Sequence, residues 1–216
     1  MFYGDGVPAA SATSTTKSRI LDAAEELFGA QGYAATSLRA VTEAAGVNVA
    51  AVNYHFGSKE GLLRAVVARA MGSVNAERGR RLDELTAAGG VPGAADLVRI
   101  FVETGASLVR RHGPRGPRVA RLIGRVVCEP DPQIRRLFAD EVSPVEGRYL
   151  QALTAALPEL PPEDVAFRYR AMIGLLALHQ SGTLSGLSPD GPSASGAADD
   201  ERLVATLTAA FGAGPG

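Results

Sequence analysis

The chain has 216 residues, 46% of them hydrophobic, with 22 basic against 23 acidic side chains and a formal net charge of −1. An apolar fraction of that size excludes wholesale disorder, and no apolar run reaches the ~18 residues that a bilayer span needs. The single cysteine, Cys128, excludes an internal disulfide framework and a multi-cysteine metal site, and it fits a reducing cytoplasm. Charge gives no argument for a nucleic-acid partner: the first 64 residues carry five cationic side chains against six carboxylates.

The opening MFYGDGVPAASATSTT lacks a basic stretch followed by an apolar one, so it reads as a disordered arm over residues 1–14 and not as a signal peptide. Ile20, Ala24, Leu27 and Phe28 then recur at helical spacing behind the candidate caps Ser14, Thr15 and Thr16, and Gly32 stops this helix. A short helix follows Ser37, with Leu38, Val41, Thr42 and Ala45 on one side, and ends at Gly46. A third runs from about Val49 to His55, and Gly57 breaks the chain. Ser58 caps a long fourth helix that reaches about Leu85. Thr86 to Gly93 is a loop by composition. A helix through Leu97, Ile100, Phe101, Leu108 and Val109 follows, then a break over His112 to Pro117, then a helix from Val119 to Val127. The next long helix, marked by Ile134 through Leu157, contains Pro144, which predicts a kink or a split. The segment Val165 to Leu184 is apolar nearly all round and belongs in a core or an interface. Ser185 to Ala198 reads as mobile, and Leu203 to Phe211 as a short amphipathic helix. The fold class is all-α with about nine helices, divided into the arm, a helical head over residues 15–60 and a helical domain over residues 61–212.

Function concentrates in Thr36 to Lys59, TSLRAVTEAAGVNVAAVNYHFGSK. Two short helices meeting at a glycine form a helix-turn-helix, although an ordinary helical hairpin uses the same parts. Gly46 supplies the left-handed turn, and Val47 and Val52 pack the helices together. Val49, Ala50 and Ala51 are small enough for the second helix to approach base edges and touch a thymine methyl, and Asn53 can pair bidentately with adenine. Tyr54, His55 and Lys59 are placed for phosphates, next to the N–H groups that start the fourth helix. The NYH triplet followed by FGSK has no evident packing purpose.

The segment Ile20 to Leu63 resembles the N-terminal domain of the TetR/AcrR family of regulators. The resemblance rests on A-A-x-x-L-F in the first helix, G-Y-x-x-T-S before the second, A-G-V at the turn and Y-H-F-G-S-K-E at the junction to the fourth. It implies a homodimeric, cytoplasmic, ligand-responsive transcriptional repressor, released from a near-palindromic double-stranded operator by a small-molecule effector. Family base contacts fall by motif position on Arg39, Val49, Ala50, Ala51 and Asn53. Family phosphate contacts fall on Ser37, Tyr54, His55 and Lys59, with Thr36 adjacent. Position 53 is often tyrosine in the family, so Asn53 implies a shifted sequence preference.

Arg118 to Phe138 and Arg168 to Gly182 more loosely resemble a subgroup whose members respond to fatty acids, acyl-coenzyme A or xenobiotics. An effector pocket would then be lined by Phe101, Leu108, Leu122, Val126 and Phe138, although each also reads as plain core. The resemblance also places dimerisation on Val165 to Leu184 and the final helix; a central core helix in a monomer is the alternative. The dense arginines Arg110, Arg111, Arg115, Arg118, Arg121, Arg125, Arg135 and Arg136 form either a pocket mouth for an acidic ligand or a solvated face paired with nearby acids. No Gly-rich phosphate loop, H-E-x-x-H or G-x-S-x-G occurs, and no cofactor or metal site is expected. His179 reads as a satisfied core residue and Cys128 as a small hydrophobe, so the chain is not read as an enzyme. The competing reading is an effector-binding helical protein whose DNA-binding head is not functional.

Overall fold

The computed structural model describes residues 9–87, 89–183 and 197–214. Among them are nine α-helices: α1 (Ala9–Gln31), α2 (Leu38–Ala45), α3 (Val49–Phe56), α4 (Lys59–Ala87), α5 (Ala94–Arg111), α6 (Gly116–Val127), α7 (Pro132–Ala156), α8 (Pro162–Ser181) and α9 (Ala197–Gly212). The expected arm is already helical from Ala9, and Ser14, Thr15 and Thr16 lie inside α1 and do not cap it. The run from Ala9 contains no glycine or proline, so a helix nucleated by the buried stripe propagates towards the N-terminus. Residues 1–8 of the arm, and residues 185–196 of the stretch read as mobile, lie outside the described residues.

Two other expectations change. The break over residues 112–117 is a single 3₁₀ turn, Gly113–Arg115, and α6 begins directly after it with Pro117 in its first turn. Proline is tolerated there because those N–H groups have no intrahelical partner. Pro144 does not split α7, which runs unbroken from Pro132 to Ala156. Both Pro144 and Asp140 are exposed, so water can satisfy the carbonyl that loses its partner.

Side chains pack into two cores threaded by α4. The first joins Ile20, Phe28, Val41 and Val52 of the head to Leu62 through Val74 of α4 and to Val119, Leu122 and Val126 of α6. The second gathers the end of α4 with α5, the latter part of α7, α8 and α9 around Phe101, Tyr149 and Met172. Phe101 meets Tyr149 and Tyr169 edge-on, with ring centroids 5.6 and 5.5 Å apart.

Polar groups clamp the head to the rest. The Glu25 carboxylate on α1 is fully buried. It lies 2.6 Å from Arg69 of α4, 3.4 Å from Arg115 and 3.3 Å from Arg118 of α6. Arg69 and Arg115 also reach Asp22, at 2.7 and 3.3 Å, and Arg118 pairs with Glu26. Two turns further along α6, Arg125 donates to the carbonyls of Gly29 and Ala30 at 2.9 and 3.1 Å. Those carbonyls belong to the last turns of α1, where the helix dipole is negative. Three of the eight arginines in the dense run therefore bind the head.

Truncating Glu25 leaves three guanidinium groups facing an empty buried site. Glu25→Ala is expected to lower stability by about 3 kcal/mol, read as a shift in the urea midpoint at unchanged slope. A shift no larger than that of an exposed Glu→Ala control would mean that the cluster contributes nothing to stability.

Candidate functional site

The helix-turn-helix is built by caps. Ser37 precedes α2, and its hydroxyl accepts from the Ala40 N–H at 3.1 Å. Gly46 ends α2 in the left-handed region, at φ 61°, and the N–H groups of Gly46 and Val47 close on Glu43 and Thr42. Asn48, which the sequence reading passed over, caps α3 by accepting from Ala51 at 2.9 Å. Ser58 caps α4 through the Gly61 N–H at 3.0 Å. Each α-helix of the head after the first thus starts on a side chain that satisfies an otherwise orphaned donor.

On α3 only Val52 is fully buried, and it fixes the helix against the head. Val49 is 44% and Tyr54 81% exposed. Ala50 and Asn53 are also exposed, and Ala51 and His55 are half-buried. Among the described residues, neither the Asn53 amide nor the Tyr54 hydroxyl has a side-chain hydrogen-bond partner. The face is therefore an unsatisfied polar strip beside small apolar side chains. Arg39 on α2 is exposed and held by Glu43 at 2.8 Å. The Lys59 ammonium stands 4.1 Å over the Tyr33 ring, and the Tyr33 hydroxyl donates to Glu60 at 2.8 Å. Burial pulls Lys59 below its usual pKa, whereas burial and then the bond to Glu60 push Tyr33 upward.

Thr36 is the exception among the expected contacts. It is 1% exposed, and its hydroxyl donates to the carbonyls of Leu27 and Gly32 at 3.2 and 2.8 Å. It fixes the corner between α1 and α2 and presents nothing outward. Tyr33, which orients Lys59, was legible only as the tyrosine of the G-Y-x-x-T-S motif.

Two adjoining cavities lie among α4, α5, α6, α7 and α8. The inner one is small, about 50 Å³, and lies between α4, α5, α6, α7 and α8. The outer one, about 440 Å³ and open to solvent, lies between α6, α7 and α8. Val127, Phe138, Val142, Glu146 and Ile173 line both and so form the wall between them. Of the expected lining residues, Phe101 and Leu108 face the inner cavity, Val126 the outer, and Phe138 both. Leu122 lines neither: it is fully buried against α1, where its Cβ is 3.7 Å from the position a Cβ on Gly29 would take.

Arg78 and Glu146, which the sequence reading did not single out, supply the inner polar wall. Arg78 is 2% exposed and gives one hydrogen bond from each guanidinium nitrogen: to Thr104 at 3.2 Å, to Glu146 at 2.7 Å and to the Phe101 carbonyl at 3.4 Å. It also stacks 3.7 Å from the Phe101 ring centre. The second Glu146 oxygen accepts from Tyr169. Burial, with the Glu146 charge beside it, pushes the Tyr169 phenol far above its usual pKa, so it stays a donor. In sequence these are two charges 68 positions apart, with no local signal that they meet.

Two smaller expectations are settled here. Cys128 is exposed at the end of α6 and is not a buried hydrophobe. His179 is half-buried, 3.2 Å from Asp200 of α9. No described helix is long and apolar enough to cross a membrane.

Residues 20–66 match the model of bacterial regulatory proteins of the tetR family, and residues 99–214 match that of the tetracyclin repressor-like C-terminal domain. The chain is 54% identical over 55 residues to the HTH-type transcriptional regulatory protein RaaS of Mycobacterium tuberculosis, a match over 26% of each chain. It is 40% identical over 53 residues to the probable HTH-type transcriptional regulator YttP of Bacillus subtilis, over 24% of this chain and 26% of that one. These alignments span about a quarter of the curated relatives' length. Among solved structures, the TetR family regulator PfmR of Thermus thermophilus is similar with a TM-score of 0.56 at 22% identity, over 89% of this chain and 94% of that one. The fatty acid degradation regulator FadR of Bacillus halodurans gives 0.58 at 17%, over 96% of both. Both likenesses are of fold. With a family model covering more than half of its length, and a second on its helix-turn-helix, the chain belongs to the TetR family of bacterial regulatory proteins.

Proposed function

We propose that the protein is a cytoplasmic, homodimeric, ligand-responsive repressor that holds a near-palindromic double-stranded operator and releases it when a small molecule fills the inner cavity. The observation that carries this reading is the outward face of α3, where Asn53 and Tyr54 are exposed without internal partners beside Val49 and Ala50. In a major groove, Arg39, Val49, Ala50, Ala51 and Asn53 read bases, and Ser37, Tyr54, His55 and Lys59 hold phosphates. Thr36 supports them from behind.

The neutral charge of the head loses its weight against DNA binding once its partners are considered. Asp22, Glu25 and Glu26 are engaged by arginines of α4 and α6, and Glu43 by Arg39. The reading of an inert head rested on that neutrality.

Dimerisation is assigned to α8 and α9. On α8, Val165, Tyr169, Met172 and Leu176 face inward, whereas Phe167 is 66% exposed on the side that also carries Ala171 and Gly174. A Cβ on Gly174 would meet nothing within 4 Å, so a second helix has room to approach there. Two-fold symmetry then sets the recognition helices one DNA turn apart, ~34–36 Å, or a multiple of it.

Release runs through α6. Ile123 and Val127 line the inner cavity, while Arg118, Leu122 and Arg125 on another face of the same helix hold α1. A ligand that displaces α6 moves the head with it, and operator must weaken ligand binding by the same factor.

Selection of bound duplexes from a random pool at a stated near-physiological salt is expected to return a near-palindrome. Asn53→Ala should change preference at one base pair in each half-site, and Lys59→Ala should weaken binding to all sequences alike. No enrichment with protein freed of small molecules would defeat the reading. Separately, Phe167→Glu is expected to give a folded monomer in sedimentation velocity, with operator affinity reduced at least ~100-fold; an unchanged dimer would move the interface elsewhere.

A further inference from the structure

The polar groups around the inner cavity are almost all committed. Arg78 uses every guanidinium nitrogen, and both Glu146 oxygens are taken, by Arg78 and Tyr169. The pair cancels in charge, and no other ionisable side chain lines that cavity. The Gln180 amide on α8 is left over: its nitrogen is buried and has no hydrogen-bond partner among the described residues. Gln180 reaches the cavity over Gly105 of α5, where a Cβ would stand 3.1 Å from its Nε2 and 2.5 Å from Leu176. The rest of the lining is chiefly apolar, including Met71, Val74, Leu108, Ile123 and Phe138.

A buried donor without a partner costs free energy that a ligand oxygen recovers, whereas a charged ligand would meet no free counter-charge in a low-dielectric site. We infer that the ligand of the inner cavity is an uncharged, compact apolar molecule with one hydrogen-bond-accepting oxygen, which the Gln180 amide receives. The inference rests on the effector-binding reading of this domain and adds the chemistry of the ligand. It separates the two readings of the arginine run: Arg135 lines only the outer cavity and Arg118 and Arg125 hold α1, so none of these offers a charge to a ligand in the inner cavity.

The test uses the full chain and three compact probes that share one body: cyclohexanone, cyclohexylamine and cyclohexanecarboxylate, each titrated calorimetrically. The ketone is expected to bind one site per chain, with the amine and the carboxylate at least ~100-fold weaker. Gln180→Leu, checked for an unchanged melting curve, should weaken the ketone about threefold to tenfold. Gln180→Glu should turn the preference towards the amine, which a merely structural role for Gln180 would not do. Carboxylate or amine binding as tightly as the ketone overturns the inference. So does indifference of the ketone to Gln180→Leu, or binding of none of the probes. If the ketone binds as expected and operator affinity does not change, the ligand class stands and release by ligand fails.

Discussion

The buried carboxylate of Glu25 ties the molecule together. A carboxylate with no exposure is tolerable only where opposite charge meets it, and here three guanidinium groups from two other helices do so. Arg69 comes from α4 and Arg115 and Arg118 border or belong to α6, so one side chain of the head fixes the relation of three helices. Arg125 adds a second attachment at the end of α1, where carbonyls without a helical partner and the helix dipole favour a cation. The head is thereby anchored on the same helix that closes one side of the inner cavity.

That arrangement divides labour along α6. Residues 118, 122 and 125 lie on one helical face and contact α1, while 123 and 127 face the cavity. A close-packed helix cannot yield on one face and stay still on the other. Such a rigid element is what a coupling between two distant sites needs: a body with two positions that both sites can bias. The clamp also explains how a head with no net positive charge is compatible with a polyanionic partner, because Asp22, Glu25 and Glu26 are engaged by arginines outside the head.

The second buried pair, Arg78 with Glu146, serves the cavity differently. By saturating each other, Tyr169 and the Phe101 carbonyl, these charges line the space without offering a charge to an occupant. The wall is then polar but satisfied, and under the proposed ligand reading selectivity falls to shape and to the uncommitted amide of Gln180.

Local signals carried most of the architecture. Helical periodicity, the stops at Gly32, Gly46 and Gly57 and the caps at Ser37 and Ser58 are properties of a few adjacent residues, so the all-α class and the helix-turn-helix were legible from the chain alone. The face of α3 was equally legible, because a helix with one buried valine has only one way to present Asn53 and Tyr54. Tertiary structure decided whatever depends on partners far apart in sequence. Thr36 reads as a surface hydroxyl until Leu27 of α1 and Gly32 just after it supply two carbonyls, Leu122 reads as pocket lining until Gly29 lets it pack on the head, and Pro144 reads as a break until its exposed position leaves water to replace the lost bond. The arginine run had two readings, and Arg78 and Glu146 had none, because the worth of a charge is set by what it faces in space, and sequence spacing does not encode that across 68 residues.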